Sequence, residues 1–199
     1  QILVPTNTPG LKIGPAEKKM GLHGSPTHAV TYEDVRVPLG NLIGEEGRGL
    51  QQTLATLDGG RIGIGAISIG LAQAAFEYAV GYSRERQAFG KPIAEQQAIQ
   101  WMLADAATEL EAARMLTWKA ADAKDRQERI RLEASMAKLA ASEAGHKAAD
   151  KAMQILASAG YRRGSVVERL FRDVRATEIY QGTSEAQRLI IAAGILAQT

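Results

Sequence analysis

Cysteine is absent from this chain of 199 residues, which excludes disulfide bonds, cysteine-ligated metals and a thiol nucleophile. Histidine is scarce: His23, His28 and His146 stand far apart, and no spacing typical of a metal site accompanies them. The sequence therefore predicts no metal. Charged residues interrupt the apolar stretches before they reach the roughly 18 residues of a membrane span, which predicts no transmembrane helix. The net charge of +2 is too small to indicate a nucleic-acid partner.

Proline is unevenly distributed and divides the chain in two. Of the six prolines, only Pro92 follows residue 47. The first part combines turn residues with short apolar runs, a pattern typical of strands. The second part is rich in helix formers, with apolar residues at three- and four-residue spacing. We therefore predict a β region in residues 1–45 and a helical domain in residues 46–199. The predicted strands are 2–4, 11–13, 29–32 and 35–37.

The second part is predicted to form an up-down helical bundle, so that the fold class is mainly α. On the second helix, apolar residues alternate at steps of four and three from Ile99 to Ala120, the repeat of a bundle seam. Gly160 is predicted to cap the third helix. Within the first helix, Gly59 and Gly60 each cost about 1 kcal/mol relative to alanine, which indicates close approach to another group. The predicted helices are 49–86, 93–124, 128–159, 166–177 and 184–197.

The segment Ile179–Ser184 carries the most information about function. Gln181 follows an apolar-aromatic pair and precedes a Gly-Thr-Ser turn that restarts a helix. This layout directs the side chain of residue 181 out of a helix end, toward whatever the turn encloses. The side chain at this position is an amide, and whether a carboxylate would be expected there is the main functional question that the sequence raises.

Two other segments allow both a functional and a structural interpretation. Arg86 precedes Phe89 and Gly90 at a helix break, where a guanidinium could clamp a phosphate; a surface arginine at a helix end is the simpler interpretation. Asp58 and Arg61 form either a buried ion pair or an arginine directed at a ligand. Neither segment decides the question alone.

Together, in this order and spacing, the motifs resemble the C-terminal half of an acyl-CoA dehydrogenase, most closely the short-chain, butyryl-CoA-dehydrogenase-like branch. The resemblance covers the whole chain. It implies that residues 1–45 end a β-barrel-like middle domain and that residues 46–199 are the complete C-terminal four-helix-bundle domain. The motifs that carry it are Lys18–Gly21, Tyr32–Pro38, Leu42–Gly47, Gly60–Gly63, Arg86–Ile93, Gln154–Leu156, Arg172–Arg175 and Ile179–Ser184.

The resemblance implies an FAD-dependent oxidoreductase that desaturates the Cα–Cβ bond of a fatty acyl-CoA thioester. In this family a glutamate removes the α-proton, the β-hydrogen leaves as hydride to the flavin, and electrons pass to electron-transferring flavoprotein. The family's FAD site crosses a subunit interface, which implies a homotetramer built as a dimer of dimers, or association with a chain that carries the N-terminal half. The implied location is cytoplasmic in a bacterium and the mitochondrial matrix in a eukaryote.

The same resemblance assigns residue positions. Gln181 occupies the position of the family's catalytic base. Arg86 and Phe89 match the pair that reaches the FAD of a neighbouring subunit. The matched substrate-binding positions are Asp58, Arg61, Tyr180 and Gly182. The matched cofactor-binding positions are Arg86, Phe89, Gln96, Gln97, Gln154, Ala157, Ser158, Thr183 and Glu185.

Two departures from the family pattern bear on activity. The amide of Gln181 has no basic lone pair near neutral pH. An isovaleryl-type branch of the family places its glutamate on the first helix instead, and in this sequence that position is occupied by Gly60. The family's usual Gly-Gly is replaced by Ala157-Ser158, which narrows the room for the adenosine without abolishing binding.

Three accounts of Gln181 remain open from the sequence. In the first, an active dehydrogenase carries a Glu-to-Gln change that keeps the shape of the site and removes the base. In the second, the glutamine is natural and the chain is a catalytically silent, acyl-CoA- and FAD-binding subunit of a hetero-oligomer. In the third, the bundle is an interaction module with a vestigial flavin site.

Overall fold

The computed structural model describes residues 1–197, and the chain divides by compactness into two units, Gln1–Leu57 and the part from Asp58 onward. Helix α1 (Gly49–Glu85) begins in the first unit and continues into the second. The division therefore falls inside a helix. The domain boundary predicted after residue 45 stays a prediction.

The first unit contains one antiparallel strand pair, β1 (Leu11–Ala16) and β2 (His28–Tyr32), in which Leu11 pairs with Tyr32. Two of the four predicted strands are thus confirmed. The strand predicted at 2–4 is wrong, because Ile2 forms only an isolated bridge to Leu42. The strand predicted at 35–37 is also wrong: Asp34, at φ 49°, turns the backbone out of the extended conformation after β2.

The second unit is helical, which confirms the predicted fold class. A hairpin of two short strands, β3 (Gln87–Ala88) and β4 (Lys91–Pro92), separates α1 from α2 (Gln97–Asp125). A turn of 3₁₀ helix, Ile93–Glu95, precedes α2, so α2 begins four residues later than predicted. The remaining elements are α3 (Arg131–Leu156), α4 (Ser158–Tyr161), α5 (Val166–Arg175), a 3₁₀ turn (Ala176–Glu178) and α6 (Ser184–Leu196).

Alanine dominates the core of the bundle. The predicted seam of α2 is confirmed, because its residues from Ala106 to Ala120 are buried at the expected spacing. Ile69 of α1 packs with Ala113 of α2 and Ala141 of α3. Side chains this small let helix backbones approach closely, so shape complementarity rather than large apolar surface fixes the packing.

Helix α3 ends earlier than the sequence predicts. The sequence predicts Gly160 as its cap, but α3 stops at Leu156 because Ala157 adopts φ 50° and ψ −131°. That conformation favours glycine, and the prediction of a helix to residue 159 is therefore wrong. Gly160 is needed for another reason: a Cβ there would lie 3.0 Å from the Met153 carbonyl oxygen.

Helix α1 is long and apolar enough, by length and composition alone, to cross a bilayer; its most apolar window has a mean hydropathy of 1.3. Core helices of soluble proteins meet the same criterion. One face of α1 packs against α2 and α3, with Ala72 and Ala75 fully buried. The expectation that the chain lacks a membrane span stays a prediction.

Gly145 of α3 gives a test of this packing. A Cβ at residue 145 would lie 3.1 Å from Val174 Cγ2 and 3.2 Å from the Ser68 carbonyl oxygen. Neither atom belongs to a flexible side chain, so Gly145→Ala is expected to destabilise the fold by about 1–3 kcal/mol. The control is Gly70→Ala on α1, where no heavy atom lies within 4 Å of the added Cβ. Thermal unfolding that ranks the two variants equally would contradict this packing.

Candidate functional site

The turn between the 3₁₀ segment and α6 has an unusual backbone. Gln181 lies at φ 52° and Gly182 at φ 96°, two consecutive residues in the left-handed region. Such a conformation costs a non-glycine residue of the order of 1–3 kcal/mol and persists only where its surroundings fix it. Thr183 follows as the N-cap of α6, and its hydroxyl oxygen accepts a hydrogen bond from the Ala186 amide at 3.3 Å.

The side chain of Gln181 packs against α1 at Gly60. A Cβ built on Gly60 would lie 2.3 Å from Gln181 Oε1 and 3.0 Å from both Cδ and Nε2. Gln181 Oε1 is buried and has no hydrogen-bond partner among the described residues. The close approach predicted for Gly60 is thus present. Residues 60 and 181 thus face each other, and neither is a carboxylate.

Two buried side chains donate hydrogen bonds to the backbone of this turn. Lys138 Nζ donates to the Gly182 carbonyl oxygen at 2.9 Å, and Gln187 Nε2 donates to the same oxygen at 2.9 Å. Gln187 Nε2 also lies 3.3 Å from the Gln181 carbonyl oxygen. Both side chains are fully buried. A Cβ on Gly182 would lie 2.6 Å from Gln187 Nε2, so a glycine is required for this approach.

Lys138 belongs to none of the motifs, although the residue pattern of α3 indicates that it is a candidate site residue. On α3, the small buried residues Ala134, Ala137 and Ala141 recur at three- and four-residue spacing. Lys138 stands on the same stripe, four residues after Ala134. A lysine on a buried helix face is rare unless it has a partner, so its position alone marks it as a candidate site residue. Gln187, on the short α6, gave no comparable signal.

Burial lowers the pKa of Lys138 to about 8, from an ordinary value of about 10.4. The positive charge of Arg61 contributes to this lowering, whereas the nearby carboxylates of Glu178, Glu143 and Glu185 oppose it. Desolvation is the largest of these effects and outweighs the favourable charges. The Lys138 ammonium, which donates to the Gly182 carbonyl oxygen, therefore lies in surroundings that only partly compensate its positive charge.

Asp58 and Arg61 form an ion pair, as one of the two interpretations of the sequence predicts, in which Arg61 is buried and Asp58 is half-buried. Arg61 Nη1 lies 2.5 Å from Asp58 Oδ1, and Arg61 is only 5% exposed. Burial lowers the pKa of Arg61, and its Nε has no partner among the described residues. Arg61, which follows Gly60, thus places a positively charged side chain in the same region as the turn at residues 180–184. Tyr180, in the turn itself, is half-buried, and this burial raises its pKa.

The hairpin after α1 presents Phe89 to solvent. Phe89 is 95% exposed at φ 55°, and Gly90 follows at φ 80°, the two positive φ values of a tight hairpin turn. The aromatic face of Phe89 is therefore available for contact with another molecule. Arg86, at the base of the hairpin, is exposed and makes no ion pair within residues 1–197.

The other positions matched to cofactor binding are accessible. Gln97, Gln154 and Ser158 are exposed and Gln96 is half-buried. Ala157 is exposed in its glycine-like conformation. Glu185 accepts hydrogen bonds from its own amide and from the Thr183 hydroxyl, which lowers its pKa.

The structure therefore brings together only part of the predicted set. Gln181 meets Gly60 directly, and Asp58 and Arg61 lie in the adjoining turns of α1. Within residues 1–197, no hydrogen bond or ion pair joins the hairpin or the α3–α4 break to the turn at 180–184. In the same range, no group of three histidine, aspartate or glutamate residues is placed to hold a metal ion.

Comparisons with known proteins identify relatives of similar sequence and similar fold. The sequence model described as "Acyl-CoA dehydrogenase, C-terminal domain" matches residues 47–196. The mitochondrial short-chain specific acyl-CoA dehydrogenase of Bos taurus is 50% identical over 194 residues, covering 98% of this chain and 47% of that protein. The structure of butyryl-CoA dehydrogenase from Megasphaera elsdenii matches with a TM-score of 0.96 at 40% identity, covering 98% of this chain and 51% of that one.

A further solved structure, described as the electron transferring flavoprotein of Acidaminococcus fermentans, matches with the same TM-score, identity and coverage. This chain spans about half the length of the proteins that it matches.

Proposed function

Because the chain belongs to the acyl-CoA dehydrogenase family, we propose that the whole protein binds FAD and a short-chain acyl-CoA and presents residue 181 to the α-carbon of the thioester. One observation carries the proposal. The side chain of Gln181 is held by a strained turn against Gly60, with a buried oxygen that has no partner within residues 1–197. A buried acceptor without a partner is costly in a folded protein, and a bound ligand would supply the missing partner.

The proposed reaction is removal of the α-proton together with the β-hydrogen, which yields the α,β-unsaturated thioester. FAD, when bound, supplies the acceptor for the β-hydrogen and its electron pair. The α-proton of a thioester is a weak acid, so the site must place a base against it and exclude water. The turn at 180–184 supports this placement: its backbone is held by buried donors, and the side chain of Gln181 packs against Gly60 of α1.

The accessible residues fit the dinucleotide cofactor. Arg86 offers a guanidinium suited to a pyrophosphate, and the amides of Gln97 and Gln154 are exposed and make no hydrogen bond within residues 1–197. Phe89 offers an exposed aromatic face. These residues would hold the cofactor, while Thr183 and Glu185 would contact it from the turn.

The proton acceptor is missing in this chain. Residue 181 is an amide and residue 60 is a glycine, and neither removes a proton near neutral pH. We therefore propose that desaturation by this sequence is strongly impaired. The same observation favours a second candidate function, a catalytically silent acyl-CoA- and FAD-binding subunit whose partner chain supplies a glutamate.

The proposed partners follow from the family. Electron-transferring flavoprotein would accept the electrons, and a homotetramer, or a chain carrying the N-terminal half, would complete the FAD site. The exposed Phe89 supports an assembly in which another subunit covers the hairpin. Location in the bacterial cytoplasm or the mitochondrial matrix is part of the same proposal.

A binding experiment tests the proposed function without requiring turnover. The whole protein is expected to purify with FAD, and anaerobic addition of butyryl-CoA is expected to shift the flavin absorption band, saturably and without bleaching. Binding perturbs the flavin, while Gln181 leaves the α-proton in place. The corresponding free acid, which lacks the CoA moiety, is the control ligand. A protein that retains no flavin would support the interaction module instead.

A further inference from the structure

The backbone of the turn at residues 181–182 is held at a single atom, the carbonyl oxygen of Gly182. Lys138 and Gln187, from two different helices, both donate to this oxygen at 2.9 Å. Both residues are fully buried, so the two hydrogen bonds are shielded from competing water. A charge-assisted bond in such surroundings is stronger than a neutral one.

The position of this oxygen explains why it needs two donors. Gln181 and Gly182 both have positive φ values, 52° and 96°, and a left-handed glutamine relaxes unless its neighbours prevent it. Rotation of the peptide that follows Gly182 would move its carbonyl away from Lys138 and release this conformation. The conformation of Gly182 would change with this rotation, which loosens the turn from which side chain 181 reaches Gly60.

We propose that Lys138 is a positioning residue of the acyl-CoA site: by holding the Gly182 carbonyl, it fixes the backbone from which side chain 181 reaches the substrate. This inference rests on the proposed function as regards the substrate, and on the structure alone as regards the turn. Lys138 donates to the backbone of the turn and not to side chain 181, so it acts through the turn. Gln187 is the second, neutral donor, which limits the loss when the lysine is removed.

The charge of Lys138 makes the turn sensitive to pH. With its pKa lowered to about 8, the folded protein loses this ammonium as the pH rises through 8, and the neutral amine is the weaker donor. An unfolded chain keeps the proton up to about pH 10.4. Raising the pH from 8 to 10 therefore favours the folded state as a whole through this group, while it weakens the hold on the turn.

The test compares Lys138→Met with Lys138→Arg in the whole protein. Hydrogen exchange of a peptide covering residues 179–187 is expected to accelerate at least tenfold in Lys138→Met, with the remainder of α3 unchanged. Lys138→Arg, which keeps the charge, is expected to recover most of the protection. Lys147→Met is the matched control, because Lys147 lies on the same helix but is exposed and pairs with Glu109 at 3.7 Å.

A second readout distinguishes positioning from stability. In a Gln181→Glu background, Lys138→Met is expected to lower kcat about 10- to 100-fold with KM changed less than threefold, because the base is misplaced while the CoA contacts remain. After correction for the intrinsic pH dependence of amide exchange, the hydrogen-exchange rate in 179–187 is expected to rise between pH 7 and 9 in the parent protein. In Lys138→Arg the corrected rate is expected to stay constant over the same range.

Other outcomes overturn the proposal. Exchange that accelerates throughout the bundle would make Lys138 a structural residue only, and so would unchanged exchange in 179–187. A local loosening that leaves kcat intact would show that the turn does not position the base. If the parent protein binds neither FAD nor butyryl-CoA, the proposed function fails, while hydrogen exchange still judges the contact between Lys138 and the turn.

Discussion

Replacing Gln181 with glutamate is expected to raise the rate of flavin reduction by butyryl-CoA about 10²- to 10⁴-fold, the usual contribution of a positioned general base. The substitution changes one NH₂ group to an oxygen, so the shape of the site is kept. The side chain already packs against Gly60 from a fixed turn, so on the proposed function a carboxylate there would take the place of the amide without rearrangement of the turn. Stopped-flow measurement of flavin bleaching gives the rate.

The matched control is Gln181→Met, which has a similar length and no basic group. It is expected to bind butyryl-CoA and to stay as slow as the parent protein. If Gln181→Glu binds the ligand but remains inactive, the silent-subunit account replaces the first one. In that case a partner chain with its own glutamate is required for turnover.

Gly60→Ala is expected to lower the rate of flavin reduction without lowering the stability of the fold. The added methyl group would occupy the position of the residue 181 side chain, 2.3 Å from Oε1. That side chain is flexible and can move aside, so the fold is not harmed, and replacing a helical glycine stabilises by about 0.5–1 kcal/mol. In the Gln181→Glu background the displaced base is expected to lose about 100-fold in flavin reduction, as a misplacement of about 1 Å can cause.

Gly63→Ala on the same helix is the control for Gly60→Ala. No heavy atom lies within 4 Å of a Cβ on Gly63, so the helix is expected to gain the same stability without loss of activity. Thermal unfolding and flavin reduction are measured on both variants. Equal activity of the two would contradict the contact between residues 60 and 181.

The helical part of the fold was predictable because its signals are local and repeated. The seam of α2 runs through seven positions from Ile99 to Ala120, and one helix face satisfies all of them. Helix ends were less predictable. The end of α3 depends on Ala157 adopting a conformation that its side chain disfavours, and only the surrounding structure can impose it.

The strands were predicted less well because a strand requires a partner. Residues 35–37 have the alternation of a strand, but the backbone turns at Asp34, and no strand pairs with them in the described residues. Residues 11–13 and 29–32, by contrast, pair with each other in the antiparallel strands β1 and β2. Composition and alternation alone did not distinguish these cases.

The candidate site was predictable where a motif names it and not where packing creates it. The turn around Gln181 was evident from the sequence, and so was the unusual glycine at residue 60. That these two residues touch depends on how α1 lies beside the turn. The contact of Lys138 with Gly182 spans 44 residues and follows from the same packing.

The most direct test of the central claim is a structure of the whole protein with FAD and bound butyryl-CoA. The account predicts that the terminal atoms of side chain 181 lie about 3.5 Å from the α-carbon of the thioester, with Lys138 still on the Gly182 carbonyl. A thioester bound elsewhere, or a side chain 181 that faces solvent in the complex, would contradict it.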